Sequence, residues 1–83
     1  MDVMHRAQRA QAIINDPVFV EAFNVVLSNQ TAVFASSESS ESQIMEAHRM
    51  VRALKAVKDQ IQSAIVDGKI FERRLEKEKQ HRG

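Results

Sequence analysis

Eighty-three residues allow one small domain with a marginal core of its own, and the absence of cysteine removes disulfide staples and thiolate metal sites together. Two glycines, one proline and four phenylalanines as the only aromatic residues, with β-branched residues scattered rather than alternating, read as an all-α chain. The net charge of +1 conceals an uneven spread: residues 1–41 hold two basic against five acidic residues, and residues 42–83 hold ten against six.

The chain opens without the apolar core of a signal peptide, because Asp2, His5, Arg6, Gln8 and Arg9 interrupt it. No continuous apolar run approaches the roughly 18 residues of a membrane span. The expectation is a soluble protein of a reducing cytoplasm, or one assembled there, without a membrane partner. Val3, Ala7, Ala10 and Ile14 recur at helical spacing, with Met4 and Ile13 beside them, and predict a first short helix over residues 2–14. Alanines at its contact positions permit close approach to a neighbour.

Asn15-Asp16-Pro17 is the clearest break. Asp16 suits an N-cap and Pro17 the first helical position after it, so Asp16 reads as a cap rather than a catalytic acid. A second helix is predicted over residues 17–35, its inner face made by Phe19, Phe23, Val26 and Val33 and joined by Val20, Leu27 and Phe34. Val18 and Val25 widen the stripe, which hints at burial on more than one side. Residues 36–42, Ser-Ser-Glu-Ser-Ser-Glu-Ser, form a polar loop, and Ser40 with Gln43 has the spacing of a capping box.

The longest pattern follows. Ala47, Met50, Leu54, Val57, Ile61 and Ala64 alternate at three and four residues, and the spacing continues onto Gly68, Phe71 and Leu75. Ile44, Val51 and Ile65 lie beside this stripe and widen it beyond a two-stranded zipper. A long helix over residues 43–80 is predicted, with a break at 67–69 favoured because Gly68 suits a helix C-terminus. The charged end, with Arg74–Glu78 and Glu78–Arg82 at i,i+4, is expected to project into solvent or onto a partner.

The fold expected is therefore all-α within a single domain of residues 1–83: a short N-terminal helix plus an antiparallel helical hairpin with a long C-terminal helix. Phe19, Phe23 and Val26 would pack on Met50, Leu54, Val57 and Ile61. The stripes exceed what one hairpin covers, so a helical bundle on homo-oligomerisation is expected, with Met50, Leu54, Val57, Ile61, Ile65 and Phe71 as its self-association or partner interface.

Chemistry-bearing patterns are weak by comparison. His5, His48 and His81 are widely spaced, and no phosphate-cradling glycine loop, HExxH or nucleophile arrangement is present. The reading is no enzyme, with no catalytic, metal or cofactor-binding residues and no cofactor. Arg49, Arg52, Lys55 and Lys58 make a basic run on the long helix that would suit phosphate contacts. A solvated face, or a docking surface for the acidic N-terminal half of a neighbour, is the favoured reading of the same residues, since the chain is nearly neutral and has no helix-turn-helix glycine turn or aromatic stacking platform.

Arg6-Ala7-Gln8-Arg9-Ala10, Asn15-Asp16-Pro17 and Glu21-Ala22-Phe23, followed by the Ser/Glu connection, the long helix, Asp67-Gly68-Lys69 and a charged end, resemble small tailed-bacteriophage proteins encoded among head and packaging genes. The resemblance spans nearly the whole chain. It implies a context, phage particle morphogenesis in the host cytoplasm or in the virion, and carries over no functional residues. The function expected is a non-catalytic interaction or assembly protein, such as a head-region structural or accessory factor. The rival expectations are a nucleic-acid-binding packaging component and a small phage protein that binds and inhibits a host factor.

Overall fold

The computed structural model describes residues 2–82, with side chains through His81. Three helices make up the all-α fold: α1 (Val3–Asn15), α2 (Pro17–Ala35) and α3 (Glu41–Arg82). Local chemistry sets their starts. The Asp2 carboxylate accepts from the His5 amide at 2.7 Å and caps α1. Asp16 accepts from the amides of Val18 (2.9 Å) and Phe19 (3.0 Å), and Pro17 follows as the first residue of α2. Ser40 and Gln43 close the capping box in both directions: the Ser40 amide donates to Gln43 Oε1 at 2.8 Å and the Gln43 amide to Ser40 Oγ at 3.1 Å. This box starts α3 at Glu41, where the Ser40/Gln43 capping-box spacing places it, two residues ahead of the 43–80 span.

Both short helices run antiparallel to α3. Partner numbers fall as the chain advances: Val3 lies with Ile70 and Phe71, Arg6 and Ala7 meet Asp67 and Gly68, and Phe23 meets Lys58. Phe23 and Leu27 then share a depression with Val51 and Leu54. The hairpin thus has one continuous arm, α3, and one jointed arm, α1 and α2 meeting at the Asp16–Pro17 corner. It forms a rod of 67 × 23 × 20 Å, two helices thick.

The predicted break at 67–69 is not there. Gly68 lies inside the 42-residue α3 with no positive φ. Its smallness serves packing instead of termination: it is buried, and a Cβ at this position would collide with the Cβ of Ala7. Around it the core is built from small residues. Among the described residues the buried apolar ones are Ala7, Ala10, Ala47 and Ala64, and no large side chain is fully buried. Phe19, Phe23, Leu27, Leu54, Ile61 and Ile65 are half-buried. Full burial of such side chains is worth about 1.5–3 kcal/mol each, so this hairpin realises only part of its apolar content.

Several contacts expected from the sequence differ. Val26, Met50 and Val57 are exposed and do not join the packed seam. Of the two ion pairs among the described residues, the one joining helices couples Arg6 of the acidic half to Asp67 of the basic half at 3.1 Å, opposite in sense to the overall charge asymmetry. Arg74 and Glu78 do not pair, and the Glu78–Arg82 pairing involves a side chain outside those described. Finally, α2 is 19 residues long and apolar enough by composition to cross a membrane, although it is interrupted by polar residues and lacks a continuous apolar run.

Candidate interaction surface

The interface predicted on α3 divides into two groups. Leu54, Ile61 and Ile65 turn inward, half-buried among Ile44, Ala47, Val51 and Gly68 on the side that α1 and α2 cover. Met50, Val57 and Phe71 stay open, at 42%, 54% and 39% exposure. The division follows from the register. Ala47, Leu54, Ile61 and Gly68 recur every seven residues and belong to two overlapping seams, one shared with Val51 and Ile65 and the other with Met50, Val57 and Phe71. The jointed arm covers the first seam; of the second it buries Ala64 and leaves Met50, Val57 and Phe71 as an exposed flank.

A matching open stripe runs along α2. Phe19, Phe23, Leu27 and Val33 are half-buried, whereas Val18 (74%), Val25 and Val26 are exposed, with Ala22 between them. Lys58 and Lys55 lie with Phe23 and Leu27 on one side of the hairpin, where the Lys58 ammonium stands 5.6 Å from the Phe23 ring centroid. In an antiparallel pair, helical geometry turns Met50 and Val57 of α3 and Ala22 and Val26 of α2 toward the opposite side. Sequence reasoning found the flank of α3 but assigned no site to α2, although Val18 and Val25 were the available signal.

The basic residues occupy a separate surface. Arg49, Arg52, Lys55 and Lys58 are all exposed. Two of the four are engaged within the chain: Lys55 donates to Asp59 at 2.8 Å, and Lys58 covers Phe23. At the outer side of the corner an open concavity is lined by His5, Arg9, Ile13, Asp16 and Phe19, with Asp16 already committed to capping α2. Among the described residues no group of three or more His, Asp or Glu is placed to share a metal ion.

Comparison with protein-family models, with curated proteins and with solved structures finds no match to this chain.

Proposed function

We propose that this chain is a non-catalytic helical interaction and assembly protein, whose apolar face is completed by another polypeptide. The observation that carries the reading is the core itself: in a chain with this many Val, Ile, Leu and Phe residues, the buried apolar positions among the described residues are alanines and a glycine alone. A hairpin two helices thick has no third layer to cover the remaining faces. The resemblance to small phage head-region proteins supplies the context, a structural or accessory role in particle assembly.

Photo-crosslinking tests this reading in cells that produce the protein. A photoreactive residue placed at Val25 or Val57 should give polypeptide adducts, while the same residue at Arg49 should not. Adducts to nucleic acid from Arg49 or Arg52, with none to protein from the apolar positions, would favour the packaging-component reading. Adducts to a host protein alone would favour the inhibitor reading.

A further inference from the structure

We infer that the concavity at the Asp16–Pro17 corner is a binding site for a small organic anion, with a carboxylate at one end, an apolar ring in the middle and a hydroxyl at the other end. This inference goes beyond the interaction reading and does not rest on it. The concavity has a volume of about 610 Å³, within the range of roughly 300–1,000 Å³ that small-molecule sites occupy. Two helices wall it: His5, Arg9, Ala12 and Ile13 come from α1 and Phe19 from α2, with Asp16 between them. Local bonds fix the angle between these walls. Asp16 accepts from the amides of Val18 and Phe19, its own amide donates to the Ile13 carbonyl at 3.1 Å, and Pro17 restricts the backbone at the joint. A site built on such a joint is in place before a ligand arrives, which lowers the ordering cost of binding.

The order of side chains along α1 selects the ligand. His5 and Arg9 stand one helical turn apart, so both face the concavity from the same side. Neither the imidazole nor the guanidinium is engaged by another side chain among the described residues. The guanidinium fork matches a carboxylate through two parallel hydrogen bonds, and the imidazole offers an N–H in either protonation state. Toward the corner the wall turns apolar: Ile13 is 43% exposed and Phe19 half-buried, and both present surface to the cavity. Arg9 lies seven residues from each of the two capping acids, Asp2 and Asp16, or roughly 10 Å at 1.5 Å per residue. Both carboxylates are already drawn to helix N-terminal amides, so an anion seated on Arg9 meets little repulsion from either. The two amides capped by Asp16 both go to its Oδ1, which leaves Oδ2 as the acceptor for the ligand's hydroxyl.

The test is a heteronuclear NMR titration of the full chain with para-hydroxyphenylpropionate, in which a carboxylate and a hydroxyl flank one ring. Saturable shifts are expected at the amides of Arg9, Ile13 and Phe19, and not at those of Arg49 or Arg52. Two analogues ask which groups are recognised. Both para-ethylphenol, without the carboxylate, and phenylpropionate, without the hydroxyl, should bind about tenfold more weakly. Arg9→Gln should weaken binding of the acid by about tenfold and leave para-ethylphenol unchanged, a split that a general loss of structure does not produce. Arg9 is exposed, so the change empties no core. Arg52→Gln is the control and should bind as the wild type does. The inference is overturned by the absence of saturable shifts at the corner, by shifts centred on Arg49 and Arg52, by equal affinity for either analogue, or by an Arg9→Gln variant that binds the acid as well as the wild type.

Discussion

Gly68 shows how a single residue can be misread when its partner is distant. In a helical stretch glycine costs about 1 kcal/mol relative to alanine. The chain accepts this cost because α1 lies so close that a Cβ would meet Ala7. Overpacking a close contact costs about 1–3 kcal/mol. Gly68→Ala is therefore expected to lose about 1 kcal/mol net in urea unfolding despite its better helix propensity. Adding Ala7→Gly should make the double variant more stable than the two single losses predict, a coupling that a purely local effect would not produce. Asp16→Ala should cost about 1 kcal/mol by removing the acceptor for two amides, with Asp16→Asn retaining most of that stability. Arg6→Ala should cost no more than about 1 kcal/mol and less as salt rises, since both partners of its ion pair are roughly half exposed. The caps at Asp16 and at Ser40–Gln43 were legible in the sequence because capping is settled within four residues. The role of Gly68 was not, because it is set by a residue 61 positions away.

Among the elements, α2 and its boundaries were readable from Pro17 at one end and the serine run at the other. The orientation of α3 was only half readable. Its positions Ala47, Leu54, Ile61 and Gly68 serve two seams equally well, and periodicity alone cannot say which seam the short arm covers. The structure decides through where α1 and α2 lie, which is why Met50 and Val57 moved from expected core to open flank. The last turns of α3 lie beyond the reach of α1, whose Val3 extends to Phe71 and Arg74, and residues 76–81 are all exposed. Shortening the chain after Leu75 should leave the thermal midpoint within about 2 °C of the full chain, because a surface segment without buried contacts adds little stability. Amide exchange should show residues 77–81 as the least protected part of α3.

As a whole molecule, the hairpin is long for its mass. Its radius of gyration is 18.7 Å, against about 12 Å for a compact chain of this length. X-ray scattering of a Val18→Asp, Val57→Asp variant should retain the elongated profile; collapse to a compact particle would show that the jointed arm had folded back on itself. The basic side should behave as a solvated surface. Anisotropy with labelled duplex DNA at about 0.15 M salt is expected to show no binding that Arg49→Glu, Arg52→Glu removes, whereas a binding protein would show a steep salt dependence. The unbroken passage of α3 through Gly68 has a mechanical consequence. The helix acts as a strut of roughly 63 Å at 1.5 Å per residue, so whatever is held at the serine-loop end and at the α1 end is kept at a set spacing. Inserting or deleting seven residues would preserve the stripe's phase and change that spacing by about 10 Å, which makes the chain a gauge whose length is written directly in its residue count.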